Sequence, residues 1–279
     1  MRQDERAPFV DALQQARVSA YAPGEFVGQE SFMGASEIRD LAGRAGIAPG
    51  VSVLDLCCGI AGPGRFITRE FGCSYLGVDL SSSAIAIARE RAGDLPCRFE
   101  VSRIPPIPAG AFDVLLLLET MLAFADKEAL VSEISEALVT GGRFAFTIEA
   151  GMPLTAQERG LMPDADTVWL TPLEEMLTIL DGARLLVRWQ DDRSQSHRAV
   201  ADSLIAAFSA DQAKIAAQIG QRALDELLAA HRLWSDWLRD GRVRKIAVVA
   251  EKAKVDDAGC NQRAAPATGD RVRRALDRG

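Results

Sequence analysis

Histidine and tyrosine are scarce in this chain, which has two of each among its 279 residues. Long apolar runs are also missing: no stretch approaches the ~20 residues of a membrane-spanning helix. The first residues, MRQDERAPF, lack the apolar segment of a secretory signal. We therefore expect no membrane partner and a cytoplasmic location. The net charge of -7 leaves no excess of basic residues for nucleic acid, so we expect no nucleic-acid partner either.

Cysteine pairs with the spacing of zinc ligands are absent from the sequence. The number of cysteines is odd, and they are Cys57, Cys58, Cys73, Cys97 and Cys260. This pattern predicts neither a metal site nor a disulfide framework. A reduced protein is the corresponding expectation.

An alternation of apolar strands and helices organises the middle of the chain. Five strands are predicted, at residues 51–57, 75–78, 98–101, 112–118 and 143–148. Two more are predicted at 183–189 and 245–250. Continuous apolar strands separated by helices are typical of an α/β fold with a parallel sheet covered on both faces.

The strands and the helical segments divide the chain into four parts. A helical lid at 1–46 precedes a Rossmann-like core, which comprises 47–190 and 241–251. A helical cap at 191–240 interrupts this core before its last strand. Residues 252–279 lack apolar periodicity, and we predict that they form a disordered tail.

The segment VLDLCCGIAGPGRF, residues 53–66, is the strongest functional motif. A strand with an acid near its end opens into a glycine-rich loop, Gly59 to Gly64, and then into a helix. Small residues let the backbone approach a ligand, and a helix N-terminus offers free N–H groups. Twenty residues after Gly59, Asp79 ends the next strand, where a carboxylate can bind two ribose hydroxyls. These features predict a nucleotide-like ligand, and more than one class of nucleotide cofactor fits them.

This motif resembles the first motif of the class I S-adenosylmethionine-dependent methyltransferases, in which an acid is followed by glycines at alternate positions. Asp55, Cys57, Gly59 and Ala61 occupy those positions here. The resemblance implies a seven-stranded sheet whose last strand is antiparallel. It also implies that Asp55 and the loop backbone hold the methionine end of the cofactor, and that Asp79 holds the ribose.

Two further segments extend the resemblance to the small-molecule branch of this class, which includes sterol, phosphoethanolamine, sarcosine/dimethylglycine and sugar O-methyltransferases. LLLLETMLAFADKEALVSEISEALVTGGRFAFT is similar to the fourth strand, helix and fifth strand of that branch, although Ala123 stands where a histidine is common. YAPGEFVGQESFMG is similar to the loop that closes over the cofactor. The residues that the resemblance assigns to the cofactor are Tyr21, Gln29, Phe32, Asp55, Cys57, Cys58, Gly59, Ala61, Gly62, Asp79, Leu80, Ser102, Arg103 and Glu119.

Three residues are candidates for catalysis: His231, His197 and Glu119. Each histidine can serve as a general base, because an ordinary pKa near 6.5 suits that role. The competing interpretations are a packed cap residue for His231 and a solvent-facing helix start for His197. Glu119 follows four leucines at the end of a predicted strand. Its side chain is interpreted either as a contact to the substrate or to the methionine amino group, or as a member of a structural pair with another side chain. The run GRVRK at 241–245 favours a solvated turn, with binding of an anionic substrate as the alternative.

The predicted function is methyl transfer from S-adenosyl-L-methionine to an oxygen, nitrogen or carbon nucleophile of a small molecule. S-adenosyl-L-homocysteine would leave by in-line displacement in a closed pocket. Two alternatives remain, a non-catalytic S-adenosylmethionine-binding protein and an NAD(P)-dependent oxidoreductase. The glycine order G-x-x-G-x-G and the lack of a Tyr-x-x-x-Lys pair disfavour the oxidoreductase. A homodimer is an open expectation.

Overall fold

The computed structural model describes residues 12–163 and 165–254. Most of the predicted disordered tail lies outside these residues. Its first three positions are among the described residues: Lys252 ends the last strand, the Ala253 amide donates to the carbonyl of Arg184, and the Arg184 side chain donates to the carbonyl of Lys254.

Seven strands form a single sheet in the order β3-β2-β1-β4-β5-β7-β6. They are β1 Ser52–Leu56, β2 Ser74–Asp79, β3 Cys97–Val101, β4 Phe112–Leu117, β5 Leu138–Ala150, β6 Leu185–Asp192 and β7 Arg244–Lys252. The last strand, β7, runs antiparallel to both of its neighbours, and every other pair is parallel. The predicted fold class is confirmed.

Ten α-helices accompany the sheet in the described part of the chain. They are α1 Ala12–Ala20, α2 Ala35–Arg44, α3 Gly62–Phe71, α4 Ser82–Ala92, α5 Lys127–Ala137, α6 Ala156–Leu161, α7 Leu173–Gly182, α8 Ser194–Ala210, α9 Gln212–Ile219 and α10 Gln221–Arg239. The side chains of Ser81 and Asp126 accept hydrogen bonds from the first turns of α4 and α5, which fixes where these helices begin. None of the helices in the described ranges is long and apolar enough to span a bilayer.

Two elements begin earlier than the sequence predicts. Helix α3 starts at Gly62, inside the predicted glycine loop, because Pro63 fits the first helical turn. Strand β5 starts at Leu138, so Gly141 and Gly142 lie within it. A Cβ on Gly142 would stand 2.9 Å from a backbone oxygen, so this irregular stretch of strand needs a glycine there.

The core consists of two apolar layers, one on each face of the sheet. Because neighbouring residues of a strand point to opposite faces, Val53 packs in one layer and Leu54 in the other. Helices α2, α3 and α4 cover the first layer, and α5 and α7 cover the second. The layers hold β1, β2 and β4 side by side, so that their carboxyl ends meet at one edge.

A third apolar cluster joins the N-terminal helix α1 to the cap helices α8, α9 and α10. Its buried members are Ala16, Tyr21, Leu204, Phe208, Ile215, Leu224 and Leu228. The segments predicted as a lid and as a cap thus share one core, although they are far apart in the sequence.

Candidate functional site

A crevice of about 270 Å³ lies at the carboxyl ends of β1, β2 and β4. Its lining comes from the loop after β1, the end of β2, the residues after β4, and residues 28–31 and 33 of the chain that crosses above them. We call this upper segment, residues 21–34, the lid loop. Ligands of open α/β sheets bind at such strand ends. The predicted site residues that line the crevice are Gln29, Asp55, Cys57, Cys58, Gly59, Gly62, Asp79 and Glu119.

Asp55 is buried at the bottom of the crevice and accepts a hydrogen bond of 2.5 Å from the Tyr75 hydroxyl. The Tyr75 ring lies so close to Gly64 that a Cβ on that glycine would overlap the hydroxyl. Burial raises the pKa of Asp55 to about 7; Asp79 also raises it, and the Tyr75 hydrogen bond opposes the shift. Asp55 can therefore bind a donor as a carboxylate or hold a proton near neutral pH.

Asp79 is held in place by the backbone on both sides of it. Its carboxylate oxygens accept from the Gly59 and Ser81 amides, each at 2.8 Å. Gly59 has a φ of +54°, a left-handed conformation that suits glycine and that lets its amide face Asp79. A carboxylate has about four acceptor positions, so Asp79 retains capacity for two hydroxyl groups.

Gln29 shapes the lid loop through hydrogen bonds to the backbone. Its side-chain amide donates to the carbonyls of Glu25 and Met33, and its oxygen accepts from the Val27 amide. The loop then passes over the start of α3, where Gly28 lies directly against Gly62. The side chain of Gln29 thus lines the crevice while its polar atoms hold the loop together.

Six of the predicted cofactor residues lie outside the crevice lining, and four of them, Ala61, Leu80, Ser102 and Arg103, line neither cavity. Ala61 is fully buried beneath the start of α3, and Leu80 points to solvent with 59% of its surface exposed. Ser102 donates its amide to the Asp79 carbonyl and its hydroxyl to the carbonyl of Arg103. Ser102 therefore binds the backbone of Asp79 without lining the crevice, and Arg103, the next residue, does not line it either.

A second cavity, of about 520 Å³, lies beneath the helices of the cap. We call it the cap cavity. Glu119 and part of the lid loop line it as well as the crevice, so the two spaces meet there. Its apolar lining is Tyr21, Phe32, Leu122, Met162, Pro163, Val168, Leu204, Phe208, Ala223, Leu227, Ala230 and Trp234. A cavity of this size with a few polar groups is typical of a small-molecule site.

The two aromatic residues predicted from the lid loop line the cap cavity and not the crevice. The Tyr21 hydroxyl donates to the Ser31 carbonyl, which leaves the ring as its free surface. The Phe32 ring lies edge-on to His231, with centroids 5.6 Å apart. Phe32 separates the polar groups at the bottom of the cavity from the histidine in its wall.

His231 is a neutral base in this wall. Its Nδ1 is 2.8 Å from the Leu227 carbonyl oxygen, a geometry in which Nδ1–H donates. Nε2 then carries the lone pair, and within the described residues it makes no hydrogen bond. Burial lowers the pKa of His231; the Leu227 contact opposes this shift, and Arg17 adds to it. His231 thus faces the cavity as a proton acceptor.

His197 is fully buried, in contrast to the predicted solvent-facing helix start. Its Nε2 lies 2.9 Å from Glu37, and its Nδ1 lies 3.7 Å from Glu119 without a hydrogen bond. His197 lines neither of the two cavities. The packing of α8 against the sheet places it behind Glu119, where it can position that carboxylate.

Lys245 is a charged residue of the cavity lining that the sequence interpretation misses. The predicted solvated turn is wrong at this position, because Lys245 begins the buried part of β7 and is only 4% exposed. Its ammonium group donates to Glu119 at 2.7 Å and to Glu149. Glu149 is its direct partner across the antiparallel β5–β7 pair, so the pairing of these strand ends is the signal that reveals the contact.

The lysine favours the ionised form of Glu119 in a buried place. Burial would raise the pKa of Glu119, but Lys245 and His197 lower it to about 2. Burial likewise opposes the charge on Lys245, and the two glutamates outweigh it, so its pKa is raised. One oxygen of Glu119 and one of Glu149 are nevertheless buried without a hydrogen bond.

Comparison with known proteins gives a consistent family likeness. Residues 53–142 match the model of a family described as a methyltransferase domain. Phosphoethanolamine N-methyltransferase 1 of Arabidopsis thaliana is 32% identical over 126 residues, which are 44% of this chain and 26% of the relative. The chain thus matches about a quarter of the length of that curated relative.

Solved structures share the fold over a larger part of the chain. The phosphoethanolamine N-methyltransferase 2 of Haemonchus contortus, in complex with phosphomonomethylethanolamine and S-adenosylhomocysteine, has a TM-score of 0.73 at 20% identity and covers 89% of this chain and 59% of its own. The cyclopropane synthase MmaA2 from Mycobacterium tuberculosis has a TM-score of 0.74 at 13% identity and covers 88% of this chain and 95% of its own. The resemblance to class I methyltransferases is confirmed. Nothing in these likenesses supports an NAD(P)-dependent oxidoreductase or a non-catalytic binding protein.

Proposed function

We propose that this chain is an S-adenosylmethionine-dependent methyltransferase that acts on a small molecule bound in the cap cavity. One observation carries the proposal: Glu119 lines both the crevice and the cap cavity. A methyl group on a cofactor in the crevice can therefore reach a nucleophile in the cap cavity. When bound, the cofactor supplies an electrophilic methyl group on a sulfonium. The chain itself has to hold two reactants in line and exclude water.

The residues of the crevice fit such a cofactor. Asp79 has acceptor capacity for a ribose diol, and the N-terminus of α3 offers backbone N–H groups to a carboxylate. The free, buried oxygen of Glu119 suits the amino group of the methionine end. Asp55 lies deeper, and the small residues Cys57, Cys58 and Gly59 leave room for the ligand.

His231 is the proposed proton acceptor, and His197 is a positioning residue. His231 is neutral, lines the cap cavity and has an unbonded Nε2. It can remove a proton from an O–H or N–H nucleophile. His197 and Glu37 support Glu119 from the side remote from the cavity.

Further properties follow as parts of the proposal. We propose that residues 1–46 and 191–240 act together as lid and cap over a core of 47–190 and 241–251, with 252–279 as a tail. The four cysteines in the described ranges are free thiols, which supports a cytoplasmic location. The expected homodimer is tested by light scattering of the purified chain.

The first experiment measures cofactor binding by calorimetry. Asp79→Ala removes a charged acceptor of two hydroxyl hydrogen bonds, each worth about 1.5–3 kcal/mol. We expect the affinity for S-adenosylhomocysteine to fall at least about 100-fold. Asp94→Ala, a matched change of an exposed acid beyond α4, should leave the affinity unchanged. Equal affinity of the Asp79 variant and the unmodified chain would refute the ribose role.

The second experiment measures catalysis. The chain is incubated with cofactor carrying a labelled methyl group and with small-molecule extracts, and mass spectrometry identifies labelled products. Enzymatic transfer predicts a labelled small molecule that does not form without the chain. Cofactor binding with no labelled product from any extract would favour the non-catalytic alternative.

A further inference from the structure

Five ionisable side chains form a buried network beneath the cap cavity: Glu37, Glu119, Glu149, His197 and Lys245. Lys245 bridges Glu119 and Glu149. His197 pairs with Glu37 and lies 3.7 Å from the same Glu119 oxygen that accepts from Lys245. With His197 neutral the network carries three negative charges and one positive charge. With His197 protonated it still has one more acid than base, so a negative charge remains under the cavity in either state.

The unbonded oxygens show where this excess charge lies. Glu119 and Glu149 line the cap cavity, their side chains are more than nine-tenths buried, and each has one oxygen without a hydrogen bond. A buried acceptor without a partner costs about 1–3 kcal/mol or more when it is charged. A ligand that brings a cation to this end of the cavity would remove that cost.

The other charged groups of the cavity wall do not offset the network. Arg17 pairs with Glu30 at 2.7 Å, and Glu226 pairs with Arg222 at 2.8 Å. The described residues that line the cavity therefore include no cation without an acidic partner. The remaining wall is apolar and includes the rings of Phe32, Phe208 and Trp234.

We infer that the substrate is an apolar amine whose nitrogen lies at the Glu119–Glu149 end of the cap cavity and whose carbon skeleton contacts the aromatic wall. This inference rests on the proposed methyltransferase function and specifies its substrate class. Two carboxylates in a water-poor site attract an ammonium group, and they repel phosphate and carboxylate groups. Phosphorylated amines, such as phosphomonomethylethanolamine in the Haemonchus contortus enzyme, are thereby disfavoured.

The unbonded Nε2 of His231 accepts one proton from the bound ammonium through a bridging water, since the Phe32 ring lies between the two groups, and this frees the lone pair of the nitrogen. That pair forms the bond to the methyl carbon as the carbon–sulfur bond breaks, and the bonding electrons stay on sulfur. The nitrogen again becomes positive, and the two glutamates stabilise the product. The imidazolium then releases its proton to water.

Four small-molecule probes test the charge preference on the unmodified chain. Calorimetry in the presence of saturating S-adenosylhomocysteine, which carries no net charge, compares 2-phenylethylamine, 2-phenylethanol, 3-phenylpropionate and phosphoethanolamine. We expect the amine to bind at least tenfold more tightly than the alcohol, and the carboxylate and phosphoethanolamine to show no measurable binding. Equal affinity for amine and alcohol, tighter binding of the carboxylate, or no binding of any probe would overturn the inference.

A variant identifies the responsible group. Glu149→Gln keeps the shape and removes one charge, so the affinity for the amine should fall at least tenfold while that for the alcohol stays the same. Glu128→Gln removes the charge of an exposed residue in α5 that does not line the cavity, and should change the affinity less than twofold. An unchanged amine affinity in a folded Glu149 variant contradicts the assignment. If that variant does not fold, the probe series on the unmodified chain decides.

The two proposals fail in different ways. Failure of the chain to bind S-adenosylhomocysteine would refute the cofactor site, whatever the probes do. Binding of S-adenosylhomocysteine together with a preference for the alcohol or the carboxylate would leave the methyltransferase proposal intact and reject the amine.

Discussion

The close approach of Gly28 and Gly62 makes the position of the lid loop testable by one methyl group. In the structure a Cβ on Gly62 would lie 2.8 Å from the Val27 oxygen and closer still to the Gly28 carbonyl. Both neighbours are backbone atoms, so no side chain can rotate to make room. The substitution Gly62→Ala therefore forces the loop away from the start of α3.

The expected cost follows from this overlap. Forcing a methyl group into packed surroundings costs about 1–3 kcal/mol, and rigid backbone neighbours place this site in the upper part of that range. A loss of 2–3 kcal/mol lowers the unfolding midpoint of a chain of this size by roughly 4–12 °C. If the loop yields locally instead, Gln29 moves with it, and the affinity for S-adenosylhomocysteine should fall at least tenfold, about 1.4 kcal/mol.

Calorimetric thermal unfolding and titration with S-adenosylhomocysteine distinguish these outcomes. Gly43→Ala is the matched control, because a Cβ at that position in α2 has nothing within 4 Å. The control should be stabilised by up to about 1 kcal/mol through helix propensity and should keep its cofactor affinity. If Gly62→Ala keeps both the midpoint and the affinity, the lid loop does not lie where the structure places it.

Two further predictions concern buried carboxylates. The pKa of Asp55 is about 7 in the folded chain against an ordinary 3.8, so protonated Asp55 stabilises the folded state. This contribution to the free energy of unfolding is complete below pH 3.8 and is lost as the pH rises to 7, a change of up to about 4 kcal/mol. Urea unfolding at pH 5 and pH 8 should show that Asp55→Asn gains stability relative to the unmodified chain at the higher pH; a pH-independent difference would contradict this. Lys245→Met leaves Glu119 and Glu149 without their cation, and should cost about 3–5 kcal/mol at pH 7. Because the pKa of Glu119 is lowered to about 2 from 4.5, its stabilising contribution is present above pH 4.5 and fades as the pH falls, so the deficit of the variant should shrink in acid. A deficit that grows below pH 4.5 would disprove the pairing.

The cofactor half of the molecule could be predicted from the sequence because its determinants are local. The strand, loop and helix that hold Asp55 are consecutive, and Asp79 lies one strand further along. Apolar strands, glycine and proline fix these elements with little help from distant residues. The predicted loop was too long only because Pro63 can start a helix as readily as it can end a loop.

The cap cavity could not be derived in this way, because contacts between remote segments create it. Lys245 looks solvated within GRVRK, and only the antiparallel pairing of β5 with β7 places it beside Glu149. His197 looks solvated at the start of a helix, and only the docking of α8 buries it against Glu37. The local sequence shows that such residues can be charged. It does not show which distant residues they contact, and those contacts determine whether they are buried or solvated.

The same contrast explains why charge, and not shape, is the informative property of the cap cavity. Apolar walls accept many carbon skeletons, since hydrophobic contact discriminates weakly between molecules of similar size. A buried excess of carboxylate discriminates strongly, because the energy of a misplaced charge in a water-poor site is large. Glu119 lines the crevice as well and has one oxygen without a hydrogen bond, so the proposed roles give that oxygen to the methionine amino group and the free oxygen of Glu149 to the substrate nitrogen.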